Sequence, residues 1–327
     1  MRHLHFGLIG WGYWGPKLAR NLESLPQASL DMVADVNPMT LAKVKAERPW
    51  IETTTKVDEV FHSNVDGVVI ATPVATHFEL ARAALEHGKH VLVEKPLTAS
   101  VAEAEELIEL AERNNTTLMA GHTFEYSPAV TQLRQLIQDG ELGNIYCVEI
   151  ERLNLGLFRS DIDVIWDLAP HDASILLALL GQSPRRVQAH AHAHLHPSIY
   201  DVAHLDLEYD TGTTAHIHVS WLHPAKVRRV TVIGDRRMAI YDDTNPAEML
   251  KVFNKGADVG VDPVFSYRHG AITIPHIEWI EPLRLECEDF AHAIRTGEQP
   301  RANGRSGLEV VRILAAAQES LIVRQIA

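Results

Sequence analysis

The sequence has only two cysteines, Cys147 and Cys287, too few and too far apart to suggest a disulfide framework or a zinc site. We assign neither thiol a role and expect a reducing cytoplasm. No apolar run approaches the ~18 residues that span a bilayer, and no apolar core with a cleavage pattern opens the chain. These absences argue against membrane insertion and export.

Basic residues are also scarce, since 30 Lys and Arg stand against 43 Asp and Glu and give a net charge of −13. This balance argues against a nucleic-acid-binding surface, although a local basic patch would still suit a phosphorylated small molecule. The 327 residues, 46% of them hydrophobic, are enough for two globular domains of ordinary size.

Glycines at 10, 12 and 15 follow an apolar strand and precede a helix-patterned segment. Gly10 permits a tight turn, Gly12 lets the backbone approach a pyrophosphate, and Gly15 allows close helix packing. The spacing is weak by itself, but its strand–turn–helix context predicts a dinucleotide site. The predicted cofactor residues of this loop are Gly10, Trp11, Gly12, Tyr13, Trp14 and Gly15.

Asp35 ends the next strand-like run, about 20 residues beyond the glycines, where a carboxylate accepts hydrogen bonds from ribose hydroxyls. It would repel a 2′-phosphate, and no arginine follows immediately, so NAD is favoured over NADP. Asn37 joins the predicted cofactor site. The alternative for Asn37 is helix capping before Pro38, and both roles can hold.

Strand-like and helix-like runs alternate from residue 3 to about 122, which predicts a doubly wound parallel sheet. Its predicted strands are 3–9, 30–36, 66–72, 90–94 and 117–121. Longer alternating runs after residue 144 predict an antiparallel sheet, in the segments 145–153, 186–196, 203–209, 213–222 and 227–241. Helices are expected near 170–181, 283–296 and 306–324. Glycines within residues 139–143 mark the change of pattern.

Polar residues follow the predicted parallel strands at their carboxyl ends, where a cofactor-using enzyme places them. They are Thr72, Pro73 and His77, then Glu94 and Lys95, then His122. Pro96 favours an extended backbone at Lys95. This lysine could hold a substrate hydroxyl and share its proton. The alternative is a solvated lysine at a strand end.

Asp167 and His171 lie four residues apart, on one face if a single helix contains both. That spacing suits a histidine base and the carboxylate that orients it. The alternative makes Asp167 a helix N-cap and His171 an ordinary helical residue.

Histidines alternate at 190, 192, 194 and 196 and again at 216 and 218, so each set shares one sheet face. A metal site is conceivable, but no carboxylate or cysteine interleaves, and we expect no metal. A solvated or subunit-facing surface is the better account. If subunits meet there, protonation should weaken assembly near or below pH 6.

Taken in order, these motifs resemble the Gfo/Idh/MocA oxidoreductase family over nearly the whole chain. The resemblance implies an N-terminal Rossmann domain, which we assign to residues 1–122. It also implies a C-terminal α/β domain with a large, mostly antiparallel sheet, assigned to 123–327, that binds substrate and forms homodimers or homotetramers. Most members oxidise or reduce sugars, cyclitols or nucleotide sugars with NAD(P).

Carried over to this chain, the resemblance makes Lys95 the lysine that touches the nicotinamide ribose and the reacting hydroxyl. His171 becomes the acid/base, with Asp167 beside it. Two departures stand out: Ala169-Pro170 replaces a more usual glycine-containing stretch, and many relatives carry an arginine ahead of the aromatic in the segment 121–128.

The segments 154–156 and 220–228 resemble a subgroup associated with nucleotide-sugar biosynthesis. Cations there could meet a diphosphate, and Tyr126 or Trp221 could stack on a base or sugar. Ordinary surface charge explains the cations equally well. The predicted substrate residues are His122, Tyr126, Arg152, Asn154, Asp167, His171 and Lys226.

The sequence therefore predicts a dehydrogenase that oxidises a secondary hydroxyl of a sugar or nucleotide sugar and transfers the hydride to NAD. The more specific prediction is oxidation at C3 of a UDP-N-acetylhexosamine. The alternatives are a non-catalytic sugar sensor, a cyclitol dehydrogenase, or a reductase of an imine or unsaturated ring. Lys95, Asp167 and His171 together argue against a sensor, which needs no proton-transfer set.

Overall fold

The computed structural model describes residues 2–259 and 265–326. The chain forms two compact units, one from Met1–Tyr126 with Ile280–Val311 and the other from Ser127–Trp279 with Arg312–Ala327. The segment Ile280–Val311 belongs to the first unit although it lies far along the chain. It contains a helix, and no local sequence pattern predicts that this helix packs in the first unit.

The first unit contains a parallel sheet of six strands in the order β3-β2-β1-β4-β5-β6. Its strands and the helices between them are β1 (Leu4–Ile9), α1 (Gly15–Glu23), β2 (Ala28–Ala34), α2 (Pro38–Glu47), β3 (Glu52–Thr54), α3 (Val57–His62), β4 (Gly67–Ile70), α4 (His77–Glu86), β5 (His90–Glu94), α5 (Val101–Arg113) and β6 (Leu118–Gly121). This order confirms the predicted doubly wound fold.

The strands β4, β5 and β6 are largely apolar because helices cover both faces of such a sheet. All four residues of β4 are buried, as are Leu4, Phe6 and Leu8 of β1. All five predicted strands are present. The short elements β3 and α3 were not predicted, because three and six residues are too few to show a period.

The second unit contains a sheet of eight strands in the order β14-β13-β12-β11-β7-β10-β9-β8. Its elements are α6 (Pro128–Gln138), β7 (Ile145–Leu155), α7 (Val164–Leu180), β8 (Arg186–His192), β9 (Val202–Glu208), β10 (Thr214–Ser220), β11 (Leu222–Gly234), β12 (Met238–Asp242), β13 (Leu250–Val259) and β14 (Phe265–Thr273). Among the strand pairings of the described residues in this sheet, only that of β7 with β10 is parallel, which confirms a large, mostly antiparallel sheet. The helices α8 (Pro282–Thr296) and α9 (Gly304–Ile326) follow β14. Helix α8 belongs to the first unit, and α9 belongs to the first unit up to Val311 and to the second from Arg312.

Two predicted strands differ from the structure by more than two residues at one end. The strand predicted at 186–196 ends at His192. Asp201 accepts hydrogen bonds from the backbone N–H and the ring Nδ1 of His194, so His194 does not continue the pairing of β8 with β9. The run 227–241 is two strands, since the chain turns after Gly234. Gly234 fits there because a Cβ would collide with the carbonyl of Leu142.

Helices α6 and α7 pack against one face of this sheet, α7 on β7, β9 and β10 and α6 on β12. The alternation in β9 shows the consequence, with Ala203, Leu205 and Leu207 buried and the residues between them more exposed. Within residues 2–259 and 265–326, no helix is both long and apolar enough to span a membrane.

Candidate active site

The three glycines of the loop after β1 have different surroundings. Gly10 has φ +95°, and a Cβ there would lie 2.5 Å from the Ala71 carbonyl oxygen. A Cβ on Gly15 would lie 2.5 Å from the carbonyl oxygen of Gly10. A Cβ on Gly12 would meet nothing within 4 Å. The fold therefore requires glycine at 10 and 15, whereas Gly12 borders open space that suits a bound phosphate.

Asp35 fixes this loop from the end of β2. Its Oδ2 accepts the backbone N–H of Trp11 at 2.7 Å, and its Oδ1 accepts that of Asn37 at 2.8 Å. The Asn37 side chain accepts the N–H of Met39 at 2.9 Å and so caps α2, which is the alternative proposed for it. The remaining lone pairs of Asp35 are compatible with a ribose hydroxyl.

A cation lies beside the aromatic residues of the loop. The Lys17 Nζ is 3.5 Å from the ring centroid of Tyr13 and 4.5 Å from that of Trp14. These residues lie at the N-terminus of α1, where free N–H groups and a positive charge together favour a phosphate group.

His77 links two strand ends of the parallel sheet. Its Nδ1 is 2.9 Å from the carbonyl oxygen of Pro96, and its Nε2 is 2.9 Å from that of Thr72. The ring is buried, and burial lowers its pKa against the opposing effect of the two carbonyls. His77 therefore bridges the backbone carbonyls of Thr72 and Pro96 and is a structural neighbour of the predicted cofactor residues Thr72 and Pro73.

The ends of β5 and β6 bury a carboxyl and an imidazole next to Lys95. Burial raises the pKa of Glu94 to about 7, while the charges of Lys95 and Lys17 oppose the rise. His122 has no exposed surface, and burial, followed by the Lys95 charge, lowers its pKa to about 3. His122, a predicted substrate residue, is therefore neutral and shielded from solvent.

Tyr126 is a core residue of the first unit. Its hydroxyl donates to Asp289 Oδ2 at 2.7 Å and accepts the Ala302 N–H at 3.2 Å, and the Arg301 guanidinium lies 4.9 Å from its ring centroid. The side chain is 2% exposed. The predicted stacking on a base or sugar is corrected here, since no ring face remains open to solvent.

In the second unit, α7 contains both members of the predicted pair. Asp163 is the N-cap, with Oδ1 accepting the N–H groups of Ile165 at 2.9 Å and Trp166 at 3.1 Å. Asp167 is therefore not the N-cap, and the helix begins earlier than the expected residue 170. Asp167 and His171 lie one turn apart on one face of α7.

Two side chains approach the Asp167 carboxylate, one from the loop before α7 and one from 54 residues further along the chain. Trp221 Nε1–H donates to Oδ2 at 3.1 Å, and a guanidinium nitrogen of Arg159 lies 3.9 Å from Oδ1. Trp221 is buried, with Phe158 edge-on at 5.7 Å between ring centroids. Trp221, considered above for stacking, instead orients Asp167. Its position could not be found from spacing, because Trp221 lies between β10 and β11, 54 residues along the chain from Asp167.

The remaining predicted substrate residues differ in exposure. Arg152 is buried in an ion pair with Asp172, whose Oδ1 is 2.8 Å from Nε and 2.7 Å from a terminal nitrogen. This pair stabilises the packing of α7 on β7, so a direct diphosphate contact by Arg152 is corrected to a buried structural role. Asn154 and Lys226 are exposed.

The histidine stripe is shorter than expected, because His194 and His196 lie outside β8. Cross-strand pairing instead aligns His190, His204 and His218 on one sheet face, with the last two rings stacked at 4.0 Å. Burial, reinforced by the charge of His204, lowers the pKa of His218 to about 4. This residue stays neutral at pH 6 and adds nothing to the predicted weakening of assembly there.

Comparison with known proteins defines the class. Residues 4–122 match the oxidoreductase family with an NAD-binding Rossmann fold, and residues 130–240 match the GFO/IDH/MocA C-terminal domain. With the six-stranded parallel sheet and the glycine-rich loop, these matches define an oxidoreductase with a dinucleotide-binding domain. The chain belongs to the GFO/IDH/MocA family.

Named relatives cover almost the whole chain. UDP-N-acetylglucosamine 3-dehydrogenase from Acidithiobacillus ferrooxidans is 33% identical over 97% of this chain and 96% of its own. A crystal structure of that enzyme has TM-score 0.82 at 30% identity, covering 98% of both chains. scyllo-Inositol 2-dehydrogenase (NAD(+)) from Bacillus subtilis is 26% identical over 90% of this chain and 86% of its own.

Proposed function

We propose that this protein is an NAD-dependent dehydrogenase that oxidises a secondary hydroxyl of a nucleotide sugar, at C3 of UDP-N-acetylglucosamine. The observation that carries the proposal is the 33% identity to a UDP-N-acetylglucosamine 3-dehydrogenase over 97% of the chain. Asp35 supports NAD over NADP, because a carboxylate at the end of β2 repels a 2′-phosphate.

The residues of the first unit fit this cofactor. The N–H groups at the start of α1 would hold the pyrophosphate beside Gly12, and Asp35 would accept the adenosine ribose hydroxyls. Thr72, Pro73 and Glu94 would line the cofactor site at the strand ends. When bound, NAD supplies the acceptor for the hydride.

We assign the proton chemistry to three side chains. The Lys95 ammonium donates a hydrogen bond to the substrate hydroxyl oxygen and stabilises negative charge as its proton leaves. His171 accepts that proton, and Asp167, oriented by Trp221, stabilises the resulting imidazolium. Asn154 and Lys226 contact the sugar and its diphosphate, since both are exposed.

The direct test follows NADH absorbance with UDP-N-acetylglucosamine, UDP-N-acetylgalactosamine and a set of inositols, with NADP in parallel. We expect NAD and UDP-N-acetylglucosamine to give a kcat/KM at least about tenfold above every other pair, a discrimination of about 1.4 kcal/mol. Turnover of inositols alone would support a cyclitol dehydrogenase. NAD binding without any turnover would support a sugar sensor.

We also propose that the eight-stranded sheet joins subunits into a homodimer or homotetramer. Light scattering of the purified protein measures this mass, and a monomer at micromolar concentration would contradict it.

A further inference from the structure

One fully buried carboxyl group has no part in the chemistry assigned above. Glu286, on α8, has no exposed surface. Its Oε2 accepts a hydrogen bond from Thr123 Oγ1 at 3.0 Å, and its Oε1 has no hydrogen-bond partner within residues 2–259 and 265–326. The charges that raise its pKa most are those of three carboxylates, Glu94, Glu125 and Asp289.

An ionised carboxylate in this position would be unstable. Within residues 2–259 and 265–326 it would have one hydrogen bond, from a neutral hydroxyl, and its side chain is shielded from solvent. Burial, and then the charge of Glu94, raise the pKa of Glu286 well above its ordinary range. The group therefore holds its proton at neutral pH.

Glu94 differs from Glu286 because cations lie next to it. It ends β5 opposite Gly121, whose missing side chain leaves room for the Glu94 Oε2, 3.4 Å from the position a Cβ would take. Its carboxylate accepts the backbone N–H of Lys95 at 3.3 Å, and the charges of Lys95 and Lys17 favour its ionised form. Burial still raises the pKa of Glu94 to about 7, but Glu94 is the carboxyl of the two that ionises first as pH rises.

We propose that Glu286 is a positioning residue, an acid that stays protonated while the enzyme works and so leaves the negative charge of this carboxyl pair on Glu94, next to Lys95. Two buried carboxyls close to one another share one charge, because the second ionisation is opposed by the first. A second charge would push Glu94 away from α8 and displace the lysine beside it. The inference rests on the proposed function only in taking Lys95 as the residue presented to substrate.

Glu286→Gln tests the protonation state without needing turnover. Because the pKa of Glu286 is raised in the folded protein, the unfolded chain loses this proton first, near its ordinary pKa of about 4.3, and the folded state becomes less stable as pH rises above that value. Glutamine has no proton to lose. We expect E286Q to melt above the wild type at pH 8, with a Tm difference that shrinks as pH falls toward 5.

Glu288→Gln is the matched control, since Glu288 lies on the same helix, exposed and paired with Arg284. We expect its Tm difference from the wild type to be small and to stay the same over this pH range. Infrared spectra at pH 8 should contain a protonated-carboxyl C=O band that E286Q lacks. A constant or negative Tm difference for E286Q, or a wild type without that band, would overturn the proposal.

Turnover separates positioning from stability. At pH 7 we expect E286Q to keep kcat/KM within about threefold of the wild type, and E286A to lose at least about tenfold in kcat, roughly 1.4 kcal/mol of barrier. Equal losses in both variants would contradict a role for the neutral acid. If no substrate turns over at all, the proposed function fails, while the melting and infrared results still decide the state of Glu286.

Discussion

The two units hold their polar residues in different ways. In the first, backbone conformation and backbone hydrogen bonds fix the loop at the predicted cofactor site, since Gly10 adopts a positive φ and Asp35 accepts two backbone N–H groups. In the second, side chains from distant elements fix the site, as Trp221 does for Asp167. The loop and Asp35 at the strand ends can therefore be predicted from local sequence order. The position of Asp167 on α7 depends on contacts between residues that are distant in sequence.

Removing one proposed proton-handling side chain from each unit should have the largest effect. We expect Lys95→Ala and His171→Ala each to lower kcat by about 10²–10⁴, because general acid/base and charge-stabilising groups contribute on that scale. NADH absorbance measures the rate. The exposed residues Lys43 and His196 supply alanine controls. Losses below about tenfold, or 1.4 kcal/mol, are too small for these roles.

Within the second unit, loss of a buried charge should destabilise the fold more than loss of an exposed one. We expect Asp172→Asn to lower the free energy of unfolding by about 3–5 kcal/mol, because it removes the carboxylate bonded to buried Arg152. Urea denaturation measures the change. Glu208→Gln, at the exposed pair with Arg185, should cost less than about 1 kcal/mol. Similar costs at both sites would show that burial is not the cause.

Two glycines of one loop should separate stability from cofactor binding. We expect Gly10→Ala to cost about 2–4 kcal/mol of stability, since its positive φ and the close Ala71 carbonyl both oppose a side chain. Gly12→Ala should change stability by less than about 0.5 kcal/mol, because its Cβ would meet no protein atom within 4 Å.

For Gly12→Ala we nevertheless expect the Kd for NAD to rise at least about tenfold, or 1.4 kcal/mol, because the added methyl group occupies the space assigned to the pyrophosphate. Calorimetric titration of NAD into the folded variant measures this. Unchanged affinity in G12A would place the phosphate elsewhere.

The smallest effect should come from Trp221→Phe. This change removes one hydrogen bond to Asp167 and keeps most of the ring, so we expect about 1 kcal/mol, a five- to tenfold loss in kcat. The NAD affinity should stay at the wild-type value. Trp50→Phe, at an exposed tryptophan of the first unit, is the control. A fall in NAD affinity with an unchanged kcat would contradict an orienting role for Trp221.

Elements with a strong local period were predictable, and the exceptions have physical causes. The five predicted parallel strands are present, because each has a cluster of apolar residues between turn residues, although β1 and β2 also contain polar residues. Helix α7 begins at Val164 instead of near 170, because Asp163 caps it and Pro170 is tolerated within it. Strands β13 and β14 were missed, because they pair mainly with one another and β14 is almost wholly exposed, which leaves little alternation.

The dinucleotide-binding strand–turn–helix motif could be predicted without the structure, because the glycine spacing, Asp35 and the order of the strand ends are local features of the chain. Tertiary structure alone decided that Arg152 and Tyr126 are buried, that Trp221 meets Asp167, and that Glu286 lies near Glu94. Those pairs join residues distant along the chain, and they depend on how α7 packs on the eight-stranded sheet and how α8 returns to the first unit. No local periodicity specifies such contacts, since they follow from packing.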